Sequence, residues 1–130
     1  QGDSSEVVAH TLTAGTNASS GYAITVEGAT LTSGANTITE IGGAATASGP
    51  GGEQFGMKLA ASGGGSGTVT APYNTANYAY DGVSAPDQVA SATGSTNNNT
   101  YDVTYIANIA SDTEAGSYST ALTYVATANF

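Results

Sequence analysis

The apolar residues of this chain recur at every second position within short runs, and nowhere with the period of a helix. The clearest run forms one face from Tyr101, Val103, Tyr105, Ala107 and Ile109. Strict alternation is typical of a strand that buries one face, whereas a helix repeats apolar residues every three or four positions. The sequence therefore predicts an all-β chain.

Turn-forming residues divide the chain into about seven to nine short strands, at a spacing of about 8–15 residues. The candidate strands cover residues 6–13, 22–26, 36–41, 54–60, 68–70, 77–80, 101–109 and 118–130. Loops are predicted at residues 14–20, 42–52, 62–67 and 90–100, and a hairpin turn at Asp81-Gly82. No fixed repeat is present, and neither half has enough aliphatic residues for a core of its own. We therefore expect one Ig-like or Greek-key β-sandwich.

The charged residues are few and nearly all acidic, since ten Asp and Glu stand against a single Lys, for a net charge of −9. Phosphate binding depends on Lys and Arg, so this balance excludes a nucleic-acid partner. An anionic membrane surface repels such a chain, and no apolar stretch approaches the about 20 residues of a membrane helix. The absence of cysteine excludes disulfides and thiolate metal sites.

Two features of the sequence, its first residues and its scarcity of lysine, indicate where in or outside the cell the protein is found. Gln1 is preceded by no initiator Met and followed by no signal peptide, as in a mature chain whose leader has been removed. A surface with a single Lys also offers little to proteases of basic specificity. We therefore expect the protein outside the cell or on the cell surface.

Candidate catalytic groups are scarce. His10 is the only histidine and lies in a predicted strand, without a G-x-S-x-G motif, so we expect it to pack or hydrogen-bond rather than act as a base. Asp112 and Glu114 share a turn, where solvated charges are the default and a bound calcium ion is the alternative. The glycine runs lack the lysine and the following helix of a phosphate loop. We expect no enzymatic activity and no cofactor, with calcium left open.

Two features leave a role for glycans open. Tyr78 and Tyr80 stand two apart in a predicted strand, a spacing that suits a sugar-stacking platform, although tyrosine also fills strand faces while its hydroxyl reaches water. Asn17 and Asn98 each begin a glycosylation sequon in a predicted loop. Such matches arise by chance in a chain rich in Asn, Ser and Thr.

The terminal strands are the least protected against pairing with another chain. Natural sheet edges are often guarded by Lys or Pro, and neither terminal strand contains them. The N-terminal strand follows a polar leader and is apolar on both faces, as expected of a strand inserted between the sheets of a neighbour. We therefore divide the chain into a leader with a candidate donor strand, residues 1–13, and a β-sandwich, residues 14–130. The candidate interface residues are Val7, Val8, Ala9, His10 and Leu12. An ordinary first strand in the chain's own sandwich is the equal alternative.

Three stretches, which together cover about half of the chain, follow a known pattern: residues 15–43, 54–60 and 101–130, with AGSY at residues 115–118 followed by TYVATA at residues 123–128. In these stretches the chain resembles secreted surface proteins of Gram-positive and candidate-phyla bacteria. The resemblance implies an all-β cell-surface domain, distantly similar to the WxL-type wall-associated domains, whose Trp-x-Leu signature this chain lacks. Members of the group often carry further β-segments before the TNxxxGY region, which is residues 16–22 in this chain. The resemblance thus implies a sandwich short of one strand, as in donor-strand filaments.

Together these observations predict a structural subunit of an extracellular, pilus-like filament that assembles with copies of itself by β-strand addition. The acidic surface would keep unassembled subunits soluble. The alternative is a monomeric surface adhesion or carbohydrate-binding module. The sequence leaves open which terminal strand is donated.

Overall fold

The computed structural model describes residues 6–130, and within that range the chain forms eleven strands and no helix. The strands are β1 (His10–Thr16), β2 (Tyr22–Glu27), β3 (Thr32–Ser33), β4 (Asn36–Thr37), β5 (Gly42–Thr46), β6 (Gln54–Gly64), β7 (Thr68–Val69), β8 (Tyr78–Tyr80), β9 (Asp87–Ala92), β10 (Thr96–Asn108) and β11 (Thr123–Ala128). The all-β prediction is confirmed. The strand count is larger than predicted because three of the strands contain only two residues. No helix in the described residues could cross a bilayer.

The strands form two main antiparallel sheets. A five-stranded sheet has the order β1-β10-β6-β8-β5, and a four-stranded sheet has the order β11-β2-β9-β7. The pair β3-β4 is a separate ribbon. Strands that follow each other in sequence often lie in different sheets. The first strand, β1, is an edge strand of the five-stranded sheet, and the last strand, β11, is an edge strand of the four-stranded sheet.

The core is formed where the inner faces of the two sheets meet. On the four-stranded sheet, Tyr22, Ile24 and Val26 alternate inward along β2. On the five-stranded sheet, the inner residues pair across strands, with Val103 opposite Leu59 and Tyr105 opposite Met57. Aromatic and aliphatic cross-strand pairs of this kind stabilise a sheet beyond the area they bury. The buried core is small and rich in tyrosine, and it consists of Tyr22, Ile24, Val26, Ile38, Phe55, Met57, Leu59, Tyr73, Ala79, Tyr80, Val89, Ala90, Ala92, Tyr101 and Val103.

All four segments predicted as loops belong in part to strands, including residues 14–16 at the end of β1. β6 runs on through Gly63 and Gly64, β10 begins at Thr96, and β5 occupies the glycine-rich stretch from residue 42. Pairing explains the difference, since Gly64 lies opposite Asn99 in the long β6–β10 ladder. A neighbouring strand supplies the hydrogen bonds that local propensity does not predict.

Two further predictions about boundaries are wrong. Asp81-Gly82 does not close a hairpin, because β8 and β9 belong to different sheets. β1 begins at His10 rather than at residue 6 and continues to Thr16, with an irregularity between Ala14 and Thr16. It therefore crosses the boundary expected between residues 13 and 14. Residues 1–5 of the predicted leader lie outside the described residues.

Candidate functional site

The predicted donor strand lies at the edge of the chain's own five-stranded sheet. β1 pairs with β10 in a register that places His10 opposite Val103 and Leu12 opposite Tyr101. Ala9, just before the strand, donates its backbone N–H to the carbonyl of Val103 at 2.8 Å. The sandwich of the single chain is thus completed by its own first strand.

The residues that precede β1 are exposed. Val7 exposes 68% and Val8 exposes 49% of their surface, so neither side chain belongs to the core. Leu12 and Ala14 are half-buried and pack against the core cluster. Of the five candidate interface residues, Leu12 alone inserts toward the core as an apolar side chain.

β11 is the corresponding edge of the four-stranded sheet. Within the described residues it pairs only with β2, and its six residues contain no charge, proline or glycine. Tyr124 lies opposite Val26 and Ala126 lies opposite Ile24, so the even-numbered residues of β11 face the five-stranded sheet. β11 therefore presents a free edge of strongly β-forming sequence.

Between the two edges lies an open cleft of ≈ 550 Å³, which we call the edge cleft. Its lining residues are His10, Leu12, Phe55, Tyr105, Thr120, Leu122 and Tyr124. Because β1 and β11 both contribute to it, the two long edge strands lie on the same side of the sandwich. The opposite side is formed by β5 and by the two-residue strand β7.

A chain of hydrogen bonds crosses the edge cleft. His10 Nε2 lies 2.9 Å from the hydroxyl oxygen of Tyr105, which contacts the hydroxyl of Tyr124 in turn. The Tyr124 hydroxyl donates to Met57 Sδ at 3.8 Å. Burial raises the pKa of both tyrosines, so their hydroxyls stay protonated at neutral pH. The chain therefore connects β1 to three other strands and offers no activated tyrosine nucleophile.

The one lysine of the chain holds the segment before β1. Lys58 Nζ donates to Glu6 Oε1 at 2.5 Å and to the Ala76 carbonyl at 3.3 Å, and it lies 5.0 Å from the centre of the Tyr78 ring. The Tyr78 hydroxyl donates to the same Glu6 oxygen at 2.9 Å. Hydrogen bonds from Lys58 and then from Tyr78 lower the pKa of the Glu6 carboxyl. Sequence analysis missed this contact because nothing in the pattern links residues 52 positions apart.

Tyr78 and Tyr80 do not form a sugar-stacking platform. Both side chains are buried. Lys58 covers the ring of Tyr78, while Tyr80 packs edge-on to Phe55 and donates its hydroxyl to the Gly28 carbonyl at 2.6 Å. A platform needs an exposed ring face, so these two residues cannot supply one in this fold.

The remaining candidate residues lie on the surface. Asp112 and Glu114 are exposed in the segment after β10. No group of three or more His, Cys, Asp or Glu within residues 6–130 is placed to hold a metal ion. Asn17 and Asn98 are both exposed and line one shallow depression, although Asn98 lies in β10 rather than in the predicted loop.

Comparison with known proteins finds no matching family model, no matching curated protein and no matching solved structure. The resemblance to bacterial surface proteins therefore stays a prediction. The argument for function depends on the two edge strands and the cleft between them.

Proposed function

We propose that this protein is a structural subunit of an extracellular filament, joined to its neighbours by exchange of β1. The observation that carries the proposal is the position of β1 as an edge strand, bonded along one side to β10. Every contact that β1 makes with its own sandwich can be made equally by β1 of another copy. Such exchange of an identical element is a low-cost route to self-association.

The exchanged strand would carry both affinity and register. Removing β1 frees the backbone groups of β10 from Asn99 to Val103 and uncovers the inner side chains of Tyr101 and Val103. An incoming β1 restores the same main-chain hydrogen bonds, which supply affinity, while Leu12 and Ala14 return to the core-facing side. A slip of one residue would place threonines there instead, so the alternation fixes the register.

The connection between β1 and β2 is the hinge of this exchange. It spans residues 17–21 and is held by a hydrogen bond from the Ala18 N–H to Thr16 Oγ1 at 3.0 Å and another from the Gly21 N–H to the Ala18 carbonyl at 3.1 Å. Five extended residues span at most about 17 Å. Subunits that exchange β1 would therefore lie in close contact.

The distribution of charge favours contact between two copies through the side of the sandwich that carries β1. A second copy also carries a net charge of −9, so the two molecules repel each other. Residues 7–26, which include β1 and most of β2, contain no acidic side chain. Approach through this neutral surface brings the fewest like charges together.

The proposal can be tested with a reversible disulfide bond that fixes β1 to β10 of the same chain. Thr13 and Thr100 are paired across β1 and β10, on the side of the sheet away from the core. Since the chain has no cysteine, Thr13→Cys with Thr100→Cys creates a single defined pair. The purified wild-type protein at high concentration should give fibres of uniform width in electron microscopy. The oxidised variant should form no fibres, and reduction should restore them.

Control variants separate the effect of the disulfide bond from the effect of the substitutions themselves. Each single cysteine variant, kept reduced, should form fibres like the wild type. A chain without residues 1–13 should form none, since it loses most of β1. Fibres from the oxidised variant, with its bond verified as intramolecular, would overturn exchange of β1. Discrete particles from the wild type would instead favour the monomeric adhesion or carbohydrate-binding module.

A further inference from the structure

The backbone of β11 leaves half of its hydrogen-bonding groups directed away from the sheet. Asn129, just after β11, donates its N–H to the Gly21 carbonyl at 2.9 Å and accepts from the Ser20 N–H at 3.3 Å. In an antiparallel pair, alternate residues direct both backbone groups to the same neighbour. The odd-numbered residues of β11 therefore bond to β2, and the even-numbered residues Tyr124, Ala126 and Ala128 point to the free side.

This edge is also electrically neutral. Residues 115–130 contain no charged side chain, in a chain whose net charge is −9. Natural edge strands are usually shortened or guarded by charge or proline, and β11 has none of these protections. A second copy, which repels this one elsewhere, meets no like charge along β11.

The side chains of the edge are complementary to one another. Tyr124, Ala126 and Ala128 face the core side, opposite Val26, Ile24 and Tyr22. Phe130 continues the same alternation and is 95% exposed. Leu122 and Tyr124, at the other end of the strand, line the edge cleft. The strand thus has an apolar side chain without a pocket at one end and an apolar cleft at the other.

We propose that β11 pairs with β11 of a second copy, antiparallel about a two-fold axis at Ala126, with Phe130 of each copy entering the edge cleft of the other. In this register Phe130 lies opposite Leu122, and Ala128 lies opposite Tyr124. A two-fold axis perpendicular to the sheet keeps the core-facing sides of both copies on the same side, so each Phe130 meets the other cleft. An isologous contact requires such a self-complementary surface. The two four-stranded sheets become one continuous sheet of eight strands.

This pairing goes beyond the filament proposal and does not depend on it. Exchange of β1 uses the edge of β10 that β1 occupies, whereas pairing of β11 uses backbone groups that no described residue of the same chain occupies. A dimer through β11 can therefore form with each β1 in its own sheet.

Single cysteines test the register directly. Ala126 would lie opposite its own copy, with Cα atoms about 5.5 Å apart, which is within the range of a disulfide. Thr127 would lie opposite Val125, and the two Thr127 Cα atoms would be roughly 8 Å apart, beyond that range. Under glutathione oxidation, Ala126→Cys should yield mostly covalent dimer on a non-reducing gel. Thr127→Cys should yield at least five-fold less. Equal yields, or no dimer from Ala126→Cys, would overturn the proposal.

Phe130 provides a second measurement that folding does not confound, because its side chain is exposed. Phe130→Ala should raise the dimer dissociation constant at least ten-fold in sedimentation velocity. Val83→Ala, which shortens another exposed side chain far from the edge in sequence, should leave it unchanged. An unchanged dissociation constant in the Phe130→Ala variant would show that Phe130 does not enter the edge cleft of the second copy. Fibres report exchange of β1 and the cross-linked dimer reports β11, so failure of one proposal is distinguishable from failure of the other.

Discussion

A buried hydrogen-bond network near one end of the sandwich gives the sharpest test of the structure. Asn99 on β10 is 2% exposed and accepts from the Gly67 N–H at 2.7 Å. Its Nδ2 donates to the Tyr22 hydroxyl at 2.9 Å, and that hydroxyl lies 2.6 Å from the hydroxyl of Tyr101. The network therefore joins the two sheets through Tyr22, which contacts both of the other side chains.

Removing either tyrosine hydroxyl keeps the ring, so the two changes differ only in hydrogen bonding. Tyr101→Phe removes one bond and leaves the Tyr22 hydroxyl with Asn99, which should cost about 0.5–1.5 kcal/mol. Tyr22→Phe removes two bonds and leaves the Tyr101 hydroxyl buried without a partner. An orphaned buried group adds about 1–3 kcal/mol, so the total should be about 2–4 kcal/mol.

The double variant shows whether the two hydroxyls act on each other. With both removed, the orphaned hydroxyl no longer exists, so its loss of stability should fall short of the sum of the single losses by about 1 kcal/mol or more. Asn99 Nδ2 keeps the carbonyl of Asn97 at 3.1 Å in every variant.

Urea unfolding followed by circular dichroism measures these losses, with the slope of the transition as a check on two-state behaviour. Tyr118→Phe is the matched control, because its exposed hydroxyl bonds only to the Glu114 carbonyl, and it should change stability by less than about 0.5 kcal/mol. A Tyr101→Phe loss equal to or greater than that of Tyr22→Phe would refute the reasoning, as would strict additivity.

Three further outcomes follow from the structure. If β1 is exchanged, Lys58→Met should shorten the lag of fibre formation, because it frees the segment before β1, and an unchanged lag in light scattering would contradict this role. Burial raises the pKa of Tyr78 and of Tyr80 to about 12, above about 10 for an unfolded chain, so the stability that these tyrosines contribute should be constant below pH 10 and be lost between pH 10 and 12 in guanidine titrations. A loss of stability that begins well below pH 10 as the pH is raised from neutral would contradict the tyrosine assignment. Gly64→Ala should cost more than 1 kcal/mol, because its φ is +101° and a Cβ would lie 1.7 Å from the Asn98 carbonyl oxygen, while Gly63→Ala, with open space around it, should cost about 0.5 kcal/mol or less. Thermal unfolding of the two glycine variants decides between these values, and equal losses would count against the geometry.

Alternation was sufficient to predict the strands that have one clearly apolar face. Tyr22, Ile24 and Val26 were predicted to share a face, and they do so in β2. The same holds for Tyr101 and Val103 in β10. Their hydrophobic side chains decide which face is buried before any neighbour is known, so local sequence is enough.

Sequence was insufficient where a neighbouring strand decides the structure. The Ser-Gly run after residue 61 has no apolar face and low strand propensity, yet its first part pairs with β10. The spacing of Tyr78 and Tyr80 left open whether their rings form an exposed platform or fill a strand face, and the buried position of Tyr78 beneath Lys58 depends on a contact that local sequence does not indicate. The edge cleft was also missed, since its lining comes from residues 10 to 124 and no local pattern brings them together.

The difference between the two lateral sides of the sandwich determines where strand addition can act. On one side the edges are β7, with two residues, and β5, whose register with β8 is irregular between Gly42 and Thr46. Short and irregular edges recruit strands poorly. On the other side β1 and β11 are longer, uncharged and close enough to share the edge cleft. Under the two proposals, Phe130 of a second copy would occupy the cleft next to His10 and hold β1 in place. Pairing of β11 and exchange of β1 would then oppose each other, so the balance between dimer and filament would depend on which contact forms first.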